Sequence, residues 1–205
     1  MTRFTCLAED RNGSCWRRLF RVAFVGWLAS VAPPTFALDA KPGCSVSPTS
    51  APTLMKLTAA LAHGRFVAYQ PTSQQAIDGR LTTADPASIR ADLKMLRPRF
   101  DGLITYNAAH GAEAIPAIAA SLGFRAVIIG VWDPLDETEE AAALQAAKQY
   151  PQIVLGLSLG NETVFWKRRG FKGMAAAVAL ARLRAPQLPI STTEPFHMFL
   201  SLIHI

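Results

Sequence analysis

Five short apolar runs, rich in β-branched residues and each ending in polar positions, recur along this chain. They occupy residues 66–71, 102–107, 125–132, 153–160 and 189–194, and a stretch with helical spacing separates each from the next. The clearest is Ile153-Val-Leu-Gly-Leu-Ser-Leu-Gly160, an unbroken run of the kind that forms a strand buried on both faces. A short helix is predicted over 54–62. Asp85-Pro86 opens a second helix, with an N-cap acid and Pro in the first turn. Ile89, Leu93 and Leu96 then fall on one face of it. A third helix is expected over 112–122, ended by Gly123. Asp136 and Glu139 read as a capping box for a fourth, running to about Tyr150, and residues 171–183 form an Ala-rich fifth. Residues 41–53 read as a Pro/Ser/Thr-rich linker and 72–83 as a polar loop.

Strict alternation of strand and helix means an α/β fold with a parallel sheet. Doubly wound sheets and (β/α) barrels both produce it. No Gly-rich phosphate turn follows any strand, since the first closes on Tyr69-Gln70-Pro71, so a dinucleotide site is disfavoured. The C-terminal ends of parallel strands face the ligand crevice. Here those ends carry Tyr69 and Gln70, Tyr106 and Asn107, Trp132 and Asp133, Asn161 and Glu162, and Glu194. Aromatic faces stack on sugar rings, amides bond hydroxyls, and carboxylates do acid–base work, so the set suits a sugar site. Two plainer roles compete. Asn161 and Glu162 suit a turn and a helix cap, and the aromatics suit packing at the rim.

Composition narrows the classes. Half the residues are hydrophobic and 18% are charged, the balance of a globular chain. The net charge is +6, yet five arginines and two acids lie in residues 1–37, leaving 16 basic and 13 acidic residues beyond them. A remaining charge of +3 gives no electrostatic case for nucleic acid, and Lys167-Arg168-Arg169 reads as a solvated helix start. Arg17, Arg18 and Arg21 precede an apolar stretch over 22–32, and Thr35-Phe36-Ala37 supplies a cleavage site. Residues 1–37 are thus expected to be a signal peptide or an uncleaved anchor that associates with the membrane through 17–32. The protein is expected to be exported to a periplasmic, extracellular or envelope location. Cys6 and Cys15 fall in that leader and Cys44 stands alone, so neither a disulfide framework nor a metal site is expected. His197 and His204 have no ligand spacing, and no cofactor is implied.

Leu159-Gly160-Asn161-Glu162, closing a fourth βα strand, resembles the acid/base motif of glycoside hydrolase family 17, the β-1,3-glucanase and glucanosyltransferase family. Ala68-Tyr69-Gln70-Pro71, Thr105-Tyr106, Gly130-Val131-Trp132 and Ser191-Thr192-Thr193 match at the other strand ends, over about residues 66–199. The resemblance implies a (β/α)8 TIM barrel, of which 65–200 would be the first five βα units, after a linker and short helix at 38–64. A full barrel takes roughly 250 residues, whereas 168 follow Ala37. The chain is therefore expected to be truncated, with 201–205 an unplaced tail. The resemblance also implies a retaining glycosidase for β-1,3-glucan, with Glu162 as general acid/base and a nucleophilic Glu on a seventh strand outside this stretch. Asn161 would bond the sugar 2-hydroxyl, while Tyr69, Gln70, Tyr106, Trp132 and Glu194 would bind substrate. Three alternatives stay open: a β-1,3-glucan transglycosylase of envelope glucan synthesis, a non-catalytic sugar-binding remnant, and an unrelated doubly wound domain holding a small ligand.

Overall fold

The computed structural model describes residues 47–78 and 80–198, so the expected leader (1–37), the start of the linker, His204 and the tail at 201–205 lie outside the described residues. The first element among the described residues is α1 (Ala51–His63), which begins inside the stretch read as linker. Pro52 belongs to its first turn, where a missing amide hydrogen removes no helical bond. Strand β1 (Phe66–Tyr69) follows. The polar loop after it holds a small antiparallel hairpin, β2 (Ala76–Ile77) against β3 (Arg80–Leu81), which was not expected. Asp78-Gly79 stands between the two strands, a dipeptide that favours tight hairpin turns, and Asp78 has φ +50°.

Helix α2 (Pro86–Leu96) is capped as its sequence requires, the Asp85 carboxylate accepting from the amides of Ala87 and Ser88. Strand β4 (Gly102–Thr105) leads to the third helical stretch, which divides. A 3-10 turn at Ala112–Ala114 precedes α3 (Ile115–Ser121), because Pro116 lacks an amide hydrogen and fits only a first turn. The remaining elements are β5 (Ala126–Val131), α4 (Glu137–Gln149), β6 (Val154–Asn161), α5 (Phe171–Arg184) and β7 (Ile190–Thr193).

The five longer strands form one parallel sheet in the order β1-β4-β5-β6-β7, so each lies beside its predecessor. Right-handed crossovers in an order that never reverses must place every connecting helix on the same face. The core follows suit. Leu103, Val127, Ile129 and Leu157 from the strands share one cluster with Ile89 and Leu93 of α2, Ile118 of α3, Ala143 of α4 and Met174 of α5. A doubly wound sheet reverses its strand order and divides its helices between two faces, which the described strands do not do. The opposite face is covered by α1, where Leu57 packs on Ala126 and Leu155 with Phe66 and Ile128 at the margin. Among the described residues no helix is long and apolar enough to cross a membrane.

Candidate active site

The carboxylate that the sequence singles out stands where β6 ends. Register against β7 slips between Ser158 and Asn161, and Gly160 turns the chain with φ +72°. A Cβ at that glycine would stand 2.6 Å from Thr163 Oγ1, so position 160 admits glycine on both conformation and space. Glu162 then adopts φ +53°, a left-handed conformation that costs a side-chain-bearing residue about 1–2 kcal/mol. Such strain persists only where surroundings hold it. Here the Glu162 amide donates to the Thr193 carbonyl at 2.7 Å, and its own carbonyl accepts from the Trp166 amide at 3.0 Å. The carboxylate Oε2 accepts from Trp166 Nε1 at 2.8 Å. Glu162 is half-buried, with its carboxylate held by an indole.

Glu194 follows the neighbouring strand, but its carboxylate has other partners than the sugar expected for it. It is buried, and its oxygens accept from the amides of Val164 at 2.8 Å and Phe165 at 3.1 Å. It therefore fastens the turn that carries Glu162. Tyr69 is likewise diverted. Its side chain is buried between sheet and α2, and its hydroxyl donates to Asp92 Oδ2 at 2.9 Å. Burial, followed by the hydrogen bond to Asp92 and that carboxylate's charge, holds the phenol well above the usual tyrosine range. The ring offers no face for a sugar, for the side chain points to the helical side of the sheet.

Gln70, Tyr106 and Trp132 do come together. They line a cleft of about 620 Å³ at the ends of β1, β4 and β5, with the β2–β3 hairpin contributing Arg80 to its wall. Tyr106 and Trp132 expose 37% and 43% of their surface there. Asn161 and Glu162 stand beside this cleft rather than in its lining, linked to it by the loop that follows them. The Arg168 guanidinium lies 5.1 Å over the Trp132 ring and donates to the Asn161 carbonyl. Arg169 pairs with Asp133 at 3.8 Å. These arginines thus clasp the β5 end rather than open the helix, which begins at Phe171 as its sequence predicts.

Glu139 is the residue most misread from sequence. Asp136 caps α4 as expected, accepting from the amides of Thr138 and Glu139, but no reciprocal bond forms. The Asp136 amide goes to the Asp133 carbonyl. The Glu139 carboxylate turns inward and accepts from Ala108 and Trp132 at 3.0 Å each and from Asp133 at 3.3 Å, tying the ends of β4 and β5 together under the cleft. Burial raises its pKa, against the opposing effect of the three amides, and the Asp136 charge adds to the rise.

No protein-family model matches the chain, and no curated protein matches it in sequence. Solved structures do match. An active-site mutant of the Rhizomucor miehei β-1,3-glucanosyltransferase, in complex with laminaritriose, superposes with a TM-score of 0.50 at 20% identity. The match covers 63% of this chain and 49% of that one, so the chain spans about half the length of the glucanosyltransferase. An endo-laminarinase from Formosa Hel1_33_131 gives 0.49 at 17% identity, covering 63% and 41%. The likeness to the glucanosyltransferase is one of fold.

Proposed function

We propose that this chain belongs to a β-1,3-glucan-active glycosidase or transglycosylase of the family 17 kind, with Glu162 as its general acid/base. The observation that carries this reading is the strained turn Gly160-Asn161-Glu162 at the end of β6, the fourth strand of a parallel sheet wound on one side. One-sided winding is what a (β/α)8 barrel requires, and the likeness in fold to a β-1,3-glucanosyltransferase supports the same architecture.

In a retaining mechanism Glu162 gives its proton to the departing glycosidic oxygen and later takes one from the attacking hydroxyl. The glycosyl group rests meanwhile on a second carboxylate about 5 Å away. Glu194 is poorly suited to that part, since its oxygens already bind Val164 and Phe165, and the reading assigns the nucleophile to a later strand of the whole protein. Asn161 bonds the sugar 2-hydroxyl, and Gln70, Tyr106 and Trp132 hold sugar rings in the cleft. Export, with residues 1–37 as signal or anchor, belongs to the same reading.

The test is Glu162→Gln in the full-length protein with β-1,3-linked gluco-oligosaccharides. The change keeps shape and removes the transferable proton, so turnover should fall about 10²–10⁴-fold. Undiminished turnover would reject the assignment. Products longer than the substrate would mark a transferase, and shorter ones alone a hydrolase.

A further inference from the structure

We infer that Trp166, bonded to Glu162 and outside the lining of the cleft, is a second aromatic platform for a pyranose ring. The identity of the sugar rests on the glucan reading above; the place rests on geometry.

Trp166 leaves 64% of its surface exposed, unusual for the largest apolar side chain. It is nevertheless fixed. Its indole N–H is bound to the Glu162 carboxylate at 2.8 Å. Its ring meets Phe165 edge-on at 5.0 Å and 73°, and Phe165 meets His197 edge-on at 5.5 Å and 77°. The Phe165 amide is in turn anchored by Glu194. A rigid aromatic side chain presented to solvent loses little entropy when a ligand stacks on it, which is why such residues recur in binding sites. The apolar C–H face of a pyranose suits the indole face.

The two platforms lie in different parts of the sheet. Trp132 ends β5 and faces the cleft over β1, β4 and β5. Trp166 belongs to the loop after β6, and its aromatic neighbours lead toward His197, beyond β7. A glucan chain resting on both would pass the Glu162 carboxylate, which Trp166 bonds directly, and so bring a glycosidic oxygen beside it. Trp166 would then hold the part that leaves, or, in a transfer, the acceptor.

Calorimetric titration of the full chain in a Glu162→Gln background tests this without turnover, and Gln still offers the indole an acceptor oxygen. The ligands are β-1,3-linked gluco-oligosaccharides of increasing length. Trp166→Ala should weaken long oligosaccharides by about fivefold or more and leave short ones, which the cleft alone accommodates, unchanged. Trp166→Phe, which keeps an aromatic face and loses the N–H, should retain most of the affinity. Trp132→Ala should weaken every length. Trp166→Ala removes one of the three holds on the loop and nothing from the sheet, so it should still unfold in one cooperative transition. If Trp166→Ala binds all lengths like its parent, or weakens all equally, the platform is refuted while the glucan reading stands. If the parent binds no length at all, both fail.

Discussion

Glu139 is buried beneath two strand ends, and its carboxylate accepts amide hydrogens from Ala108, Trp132 and Asp133. Its pKa is raised above the ordinary value of 4.5, mainly by burial. The folded chain therefore keeps this proton at pH values where the unfolded chain has lost it. Its contribution to stability is fullest below about pH 4.5 and declines as pH rises through the raised value. Asp101, lowered chiefly by the Arg65 amide it accepts from, acts in the opposite sense and below that window. Glu139→Gln keeps an oxygen for Ala108 and Trp132 but cannot titrate. We expect its thermal midpoint to lack the decline across weakly acid pH expected of the parent, over and above a pH-independent cost of facing an amide to Asp133. Parallel profiles for the two proteins would refute this. The caps at Asp85 and Asp136 were legible in sequence because their partners lie two or three residues away. Glu139 was not, because its bond to Ala108 spans 31 residues and only the folded sheet brings the two together.

The loop joining β6 to α5 is held at three places. Glu194 binds the amides of Val164 and Phe165, Arg168 and Arg169 clasp Trp132 and Asp133, and Trp166 bonds Glu162. Removing the staple should loosen the turn and leave the sheet intact. Glu194→Gln replaces one acceptor oxygen with an NH2 group that confronts an amide hydrogen, at about 1–3 kcal/mol locally. Amide exchange at Val164 or Phe165 should therefore accelerate about tenfold or more, while amides of β5 exchange as before. Uniform acceleration across both elements, or none at either residue, would contradict a local staple. The five strands and five helices were legible because each rests on periodicity within its own segment. The hairpin at β2 and β3 escaped because two residues per strand make no pattern. Trp166 and the two arginines escaped for another reason: in a loop no repeat shows which way a side chain turns. The strand-end residues Gln70, Tyr106 and Trp132 did converge, since the direction of a parallel sheet fixes which ends share a rim. Tyr69 did not, because alternation along β1 turns it to the helical side.

The described residues form a sheet with two unequal faces. One carries four helices over a continuous core; the other carries α1 over a patch in which Leu57, Ala126 and Leu155 are the buried members. Leu→Ala changes in cores cost about 2–5 kcal/mol, and the cost climbs with the cavity that neighbours cannot refill. Leu103 is fully buried in the larger core, on a strand clamped between β1 and β5, so its surroundings cannot collapse. Leu103→Ala should lie near the top of that range, at about 4–5 kcal/mol. Leu57 retains 8% exposure on a single helix that precedes the sheet, and it packs over Gly156, which has no side chain of its own to hold α1 away. Leu57→Ala should cost only about 2 kcal/mol. Urea unfolding of both variants in the full chain measures the difference. Equal costs, or a larger one at Leu57, would show that the face under α1 is as tightly built as the helical side, and the two-faced description would fall.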